Sequence, residues 1–259
     1  MTVLIGASGW QYRSWRGPFY PPGLAQRHWL EHYAAAFATV EVNNTFYRLP
    51  PPAVFADWAA RVPGDFVVTV KASRYLTHVK RLRQPEEPVG RLMEGARMLG
   101  PHLGPVLVQL PPDMPAAPGL LDQALAAFPA GVRVAVEPRH PSWFTDEVRA
   151  VLSERGAALC WADRLSRPLT PLWRTAPWGY LRLHEGRGGN HPCYGRTALS
   201  GWARRLAADF APEDDLFVYF NNDPRACALH DARLFAGYVA RAGLVASRVP
   251  AASIRPGSP

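Results

Sequence analysis

The chain has 259 residues, close to the roughly 250 typical of an eightfold β/α barrel, so a single domain is expected, over residues 1–242 with a tail at 243–259. Its apolar content of 48% is ample for one core, and its formal charge of +8 favours anionic partners, either a phosphate-bearing small molecule or nucleic acid. Cys160, Cys193 and Cys227 are widely spaced with no Cys-x-x-Cys, which excludes a thiolate zinc site of the usual spacing and fits a reducing cytosol. The opening apolar run is too short for a signal peptide and no later run is long enough to span a bilayer, so a soluble, cytoplasmic protein without membrane contact is expected.

Strand one is expected over residues 3–7, delivering Ser8, Gly9 and Trp10 into a loop that interleaves aromatics with arginines (Tyr12, Arg13, Trp15, Arg16). Such a loop suits stacking on a flat ligand while holding phosphate, or else packs its rings against the side of the fold. A helix from about Leu24 carries Leu30, Tyr33, Ala34 and Phe37 on one stripe. Strand two, residues 39–43, alternates Val40 and Val42 with Thr39, Glu41 and Asn43, and a carboxylate and an amide on an inner face are costly unless paired or used. A proline run then leads into a helix with Val54, Phe55, Trp58, Ala59 and Val62 in register.

Strand three, residues 66–71, points Val67, Thr69 and Lys71 inward, and the loop after it, residues 74–83, is the most basic segment of the chain. The next helix carries Val89, Leu92, Met93 and Ala96. Strand four, residues 106–110, turns Leu107 and Gln109 inward, and the helix behind it presents Leu121, Leu125 and Phe128. Strand five, from residue 132, points Ala135, Glu137 and Arg139 inward, and Thr145 is a plausible cap for the following helix, with Asp146 and Glu147 at its positive end. Strand six, residues 157–162, ends at Asp163, and three prolines (Pro168, Pro171, Pro177) make the sixth helix short or missing. Strand seven, residues 179–184, puts Tyr180, Arg182 and His184 on one face. A glycine-rich loop and a helix with Leu199, Trp202, Ala203 and Leu206 lead to strand eight, residues 216–220, ending in Asn221 and Asn222. Asp223 before Pro224 reads as the cap of the last helix. The chain beyond about Gly243 reads as a frayed terminus.

Eight such units imply an α/β fold of the (β/α)8 TIM-barrel type, with a mouth lined by Glu41, Asn43, Lys71, Gln109, Glu137, Arg139, Arg182, His184 and Asn221, flanked by Trp10 and Tyr12. Three chemistries compete. Glu41 and Glu137 serve as general acid and base, with Arg139 and Arg182 converging on one oxyanion. Lys71 forms a Schiff base, but Glu41 on the neighbouring strand is expected to hold it protonated, so an ion-paired, structural or substrate-binding Lys71 is expected instead of a nucleophile. Glu41, Glu137, Asp163 and His184 bind a divalent metal, which the positive neighbours disfavour, so no cofactor is expected. A buried ion network without catalysis is the remaining alternative.

Several blocks resemble those of domain-of-unknown-function family 72: Ile5-Gly6-Ala7-Ser8-Gly9-Trp10, Trp15-Arg16-Gly17 with Phe19-Tyr20-Pro21, residues 40–48, Thr77-His78, Leu110-Pro111-Pro112, Glu137-Pro138-Arg139-His140, Arg182-Leu183-His184 and Tyr219-Phe220-Asn221-Asn222. They follow one another over nearly the whole chain. The resemblance implies a TIM barrel similar to sugar-isomerase and type-four apurinic endonuclease barrels, and the blocks contain Glu41, Glu137, Arg139, Arg182 and His184. The chain lacks the many histidines of the metal-dependent endonuclease site. The functional expectation is an enzyme, a hydrolase or isomerase of a phosphorylated or nucleic-acid substrate, or else a non-catalytic barrel binding nucleic acid or a protein partner.

Overall fold

The computed structural model describes residues 2–189, 191–252, 254 and 256. The first half of the chain runs β1 (Thr2–Ala7), α1 (Trp29–Ala36), β2 (Thr39–Val42), α2 (Asn44–Tyr47), α3 (Pro52–Ala60), β3 (Val67–Lys71), α4 (Glu86–Ala96), β4 (Leu103–Gln109) and α5 (Pro118–Ala126). The second half runs β5 (Val134–Glu137), α6 (Asp146–Glu154), β6 (Ala158–Leu159), β7 (Trp161–Arg164), β8 (Arg167–Pro168), β9 (Trp178–Glu185), α7 (Arg196–Asp209), β10 (Asp215–Phe220), α8 (Cys227–Arg241) and β11 (Val245–Ala246). The eight expected strands all form close to where alternation placed them. No helix follows β7; a short hairpin with β8 and an extended segment take its place, because the prolines there withhold the backbone donors a helix needs.

The strands form a mixed α/β fold with two sheets, ordered β2-β3-β4-β5-β6 and β11-β1-β10-β9-β7-β8, parallel throughout except for the β7–β8 hairpin. The expected single closed ladder is thus divided in its hydrogen bonding, and side chains explain both divisions. Between β1 and β2, the Tyr33 hydroxyl receives the Ala7 N–H at 2.8 Å and donates to the Thr39 carbonyl at 3.1 Å, occupying the place of a ladder bond. The backbones still approach closely there: a Cβ on Gly6 would lie 2.3 Å from the Thr39 carbonyl oxygen, so only glycine fits. At the other division Cys160 separates β6, which pairs with β5, from β7, which pairs with β9. Thr175 receives the Leu159 N–H, and Thr170 donates to the Cys160 carbonyl, so threonine hydroxyls complete the edge.

The outward strand faces and the helix stripes share one large apolar core, in which Trp15, Tyr20, Trp29, Tyr33 and Phe37 stack beside β1 and β2. The inward faces form a second, smaller cluster that includes Leu107, Ala135, Trp178, Tyr180, Phe217 and Tyr219.

Some local expectations need correction. The Thr145 hydroxyl does cap α6 by receiving the Val148 N–H. Asp223, in contrast, has helical backbone angles and makes no side-chain cap; a short turn kinked at Arg225 intervenes, and α8 begins at Cys227. The stretch after Gly243 is held where it is described: β11 pairs with β1, the Ser247 hydroxyl receives the Ile5 N–H, and Ile254 is buried. Nor are the cysteines all free, since Cys193 and Cys227 form a disulfide while Cys160 stays a buried thiol. Among the described residues no helix is long and apolar enough to cross a membrane.

Candidate functional site

Inward residues two apart on each strand stack into tiers as the strands run toward their C-terminal ends. In the lowest polar tier, the Tyr219 hydroxyl lies 2.7 Å from both Thr39 Oγ1 and Thr69 Oγ1. Next comes an ion network. Arg182, only 1% exposed, donates through Nη1 to Glu137 Oε2 at 2.6 Å and through Nη2 to Glu41 Oε1 at 2.8 Å. Tyr180 donates to Glu41 Oε2 at 2.6 Å, and His184 Nε2 meets Glu137 Oε1 at 2.8 Å. Both glutamates are fully buried.

Burial alone would raise the Glu137 carboxyl, but the Arg182 guanidinium and His184 outweigh it and hold the group well below the usual carboxylate range. Burial pulls the Arg182 guanidinium down, and Glu41 and Glu137 more than restore its charge. His184 is shifted the other way. Its burial, helped by Arg182 and Arg139, lowers its pKa despite Glu137, so the imidazole is neutral at pH 7. Because a carboxylate only accepts, the proton sits on Nε2, and Nδ1 receives the Asn221 amide at 3.1 Å.

The top tier is more open. Arg139, with 23% of its side chain exposed, contacts Glu137 Oε1 at 2.7 Å and His184 Nε2 at 3.0 Å, both through Nη2. The Lys71 amine donates to Gln109 Oε1 at 2.8 Å and lies 4.3 Å from the centre of the Phe46 ring. Burial first, then Arg182, pushes that amine down to about 8. Asn43 reaches the Ser8 carbonyl at 3.3 Å, and Tyr12 donates to the same carbonyl at 2.5 Å. Beside His184 and Asn221, a cavity of about 450 Å³ is bounded also by His191, Asn222, Asp223 and Arg225.

Buried polar atoms left without a partner collect at this end of the strands: Ser8 Oγ, Asn43 Oδ1, Arg139 Nε, Arg182 Nε, Asn222 Oδ1 and, behind Asn222, Asp231 Oδ1. Such atoms are rare in folded proteins because each carries an uncompensated desolvation cost. The backbone is also strained here, with non-glycine residues Arg225 and Ala226 at φ 62° and 60°.

The expected site residues are therefore largely brought together, with four corrections. Arg182 does not extend to join Arg139 on a free anion; it is spent on Glu41 and Glu137 one tier below. Lys71 has no ion pair with Glu41, whose oxygens are taken by Arg182 and Tyr180. Trp10 is buried edge-on against Trp58, 5.5 Å between ring centres, and Trp15 is buried too, so both rings pack against the fold, although Trp10 also borders a cavity of about 160 Å³ with Tyr12 and Asn43. Asp163 turns away and accepts from Tyr194 and Trp202. Among the described residues no three His, Cys, Asp or Glu side chains stand close enough to hold a metal ion.

Residues 4–253 match the family described as Protein of unknown function DUF72. The chain belongs to that family. It is similar to the UPF0759 protein YecE of Escherichia coli (strain K12), 31% identical over 147 residues that cover 55% of this chain and 50% of that one. It is 28% identical over 116 residues to the UPF0759 protein YunF of Bacillus subtilis (strain 168), covering 42% and 40%. The chain thus spans half or less of the curated relatives it matches. Among solved structures, a DUF72 family protein of Thermotoga maritima superposes with a TM-score of 0.78 at 26% identity, covering 93% of this chain and 100% of that one. A DUF72 family protein of Enterococcus faecalis gives 0.76 at 16% identity with full coverage of both chains, and SacUVDE gives 0.55 at 8% with 95% and 100% covered. The last two are likenesses of fold.

Residues of this DUF72 site that sequence reasoning passed over include Tyr180, Ser8 and Phe46. Tyr180 carried a signal, since it stands two positions before Arg182 on the same inward face. Phe46 carried none, because its contact with Lys71 depends on how α2 packs over the end of β3.

Proposed function

We propose that the two sheets are arcs of one (β/α)8 barrel and that this DUF72 protein is an enzyme acting on a small anionic, phosphate-bearing substrate at the C-terminal mouth. The observation that carries this reading is the charge balance of the two upper tiers. Glu41 and Glu137 face Arg182, Arg139 and, below its pKa of about 8, Lys71, which leaves one positive charge uncompensated in a largely desolvated place. A bound anion restores the balance, and charge-assisted hydrogen bonds from Arg139 hold it.

The roles follow from exposure. Glu41 and Glu137 are committed to Arg182 and the site's scaffold, so neither is the acid–base group. His184, neutral at pH 7 and oriented by Glu137 at the edge of the cavity, is the group left for proton transfer, taking a proton at Nδ1 in place of the hydrogen bond from Asn221. Asn43 and Gln109 complete the rim, and Tyr12 walls one side.

Titration calorimetry with inorganic phosphate tests the reading. Binding is expected in the wild type and weakened roughly tenfold or more in Arg139→Ala, the loss of one charge-assisted bond. A screen of phosphorylated compounds is expected to find turnover that His184→Gln abolishes. No phosphate binding at low ionic strength refutes the anion site.

A second reading has its own observation. Tyr47 and Tyr75, 75% and 37% exposed, stand at the rim beside the exposed Arg48 and Arg74, an arrangement that suits stacking and phosphate contact along a single-stranded nucleic acid. Arg83 is exposed there as well, while Lys80 and Arg81 are partly neutralised by Glu87 and Asp113. Oligonucleotide binding that falls steeply with salt, and flattens on charge reversal at Arg74 and Arg83, supports this reading; insensitivity to salt removes it.

A further inference from the structure

Lys71 differs from every other charged side chain in the two upper tiers. Glu41, Glu137, Arg139 and Arg182 each have an oppositely charged partner, whereas the Lys71 amine has none among the described residues. Two carboxylates belong to the tier beneath it, and Arg182 occupies both. The amine keeps a single neutral acceptor, Gln109 Oε1, and the face of Phe46. A lysine with a purely structural role is normally buried against a carboxylate, since an unpaired ammonium is costly away from water.

We propose that the Lys71 amine is a nucleophile that forms a Schiff base with an aldehyde or ketone carbonyl of a small anionic substrate held at this mouth. The inference rests on the anion site proposed above and adds the carbonyl to the description of the substrate. Three features of the place serve the step. Burial and the neighbouring Arg182 favour the neutral amine, so that a pKa of about 8 leaves roughly a tenth of it unprotonated at pH 7, far more than for an exposed lysine. Gln109 holds Nζ in position without supplying the charge that would lock it as an ammonium. Arg139, with part of its guanidinium exposed, is placed to hold the substrate's anionic group.

The amine lone pair adds to the carbonyl carbon while the carbonyl π pair moves to oxygen. One proton passes from nitrogen to that oxygen, giving the carbinolamine. The hydroxyl then leaves with a second proton as water, and the nitrogen lone pair forms the C=N bond. One water is released and nothing is oxidised or reduced. Protonated, the imine acidifies the neighbouring C–H.

The chain has only two lysines, Lys71 and Lys80, which makes the test direct. Wild-type protein is incubated with glycolaldehyde phosphate, or with uncharged glycolaldehyde, in the presence of sodium cyanoborohydride, and the reduced adduct is located by peptide mass spectrometry. Lys80, ion-paired with Glu87 on the surface, is the internal control. The expected result is roughly tenfold more adduct on Lys71 than on Lys80, with a rate that rises with pH and levels off above about 8. The phosphorylated carbonyl should label Lys71 at lower concentration than glycolaldehyde, and inorganic phosphate should suppress it. Equal labelling of both lysines, or label on Lys80 alone, overturns the proposal, and because the wild type is used throughout, no variant has to fold. Phosphate binding without label on Lys71 overturns the imine and leaves the anion site standing. Label on Lys71 that phosphate does not suppress keeps the imine and removes the anion site.

Discussion

Glu41 on β2 and Asn43 just past its end, two residues apart, sit in different physical regimes. Glu41 is fully buried with both oxygens bonded, one to Tyr180 and one to Arg182. Asn43 is half-buried, and its Oδ1 is enclosed with no partner. The same change occurs on β9 between Arg182 and His184 and at the end of β5 between Glu137 and Arg139. The lower tier pairs its charges within the fold, with Arg182 Nε left unbonded, and holds the strand ends together. The upper tier is left with spare donors, spare acceptors and a positive charge. Polar groups that are inward and buried are therefore not equivalent, and the tier whose charges do not cancel is the one proposed above to meet a ligand.

The comparison breaks most visibly at Arg182. Replacing it with Met leaves Glu41 a buried charge without a cation and Glu137 with Arg139 alone, which costs about 3–5 kcal/mol. For a domain of this size that lowers the thermal midpoint by roughly 6–20 °C in scanning calorimetry. A shift no larger than that of an exposed arginine would show that the lower tier does not hold the fold.

Acid stability separates the two tiers next. Glu137 has its folded pKa depressed, so its contribution is complete above the ordinary carboxylate value and is lost as pH falls through and below it. His184 is a base with a depressed folded pKa. As pH falls below about 6.5, the unfolded chain takes up a proton that the folded imidazole refuses, and stability declines with it. Chemical denaturation across this range should show His184→Gln flattening the slope below about 6.5, with Glu137→Gln altering only the more acidic part. One slope common to both variants would mean that the two groups titrate as a single unit.

Smaller in energy, but sharper, is Asn221→Asp. It exchanges the amide at His184 Nδ1 for a carboxylate, which favours the charged imidazole. The His184 midpoint followed by NMR should rise, while the change in stability stays near ~1 kcal/mol, that of one hydrogen bond. An unmoved midpoint would place Asn221 outside the site.

Lys71→Met should cost least. At pH 7 the wild type carries a buried, unpaired ammonium, and its removal is expected to leave the thermal midpoint unchanged or slightly higher. Because the folded amine titrates at about 8 and the unfolded one near ~10.4, the folded state binds fewer protons in between, and wild-type stability rises with pH through that window. The Met variant lacks that rise. A midpoint that drops as it does for Arg182→Met would return Lys71 to the lower tier.

Much of this was legible along the chain. Period-two alternation placed Thr39, Glu41, Thr69, Lys71, Gln109, Glu137, Arg182 and His184 on inward faces, and a pleated strand leaves no other choice. Prolines announced the missing helix after β7, and Thr145 announced the start of α6. The partners of the inward groups were not legible. Strand periodicity points Arg182 to the mouth with Arg139, but its length lets it bridge Glu41 and Glu137 across the interior, a distance that periodicity along one strand does not contain. Trp10 looks like a ligand platform in the sequence because aromatics among arginines are alike whether they stack on a ligand or on Trp58. Cys193 and Cys227, 34 residues apart, meet only because the glycine-rich loop folds back onto the start of α8.

The sequence by itself determined the order of strands and helices, the face on which each polar residue stands, and the end of the sheets at which the polar residues gather. These are local consequences of strand pleat, helix period and turn chemistry. Tertiary structure decided which charges cancel and which remain. It inserted Tyr33 between β1 and β2, committed both glutamates to Arg182, and left Lys71 with a neutral amide and a phenyl ring. Those outcomes depend on distances between strands far apart in the chain, and electrostatic energy in a buried place varies steeply with such distances.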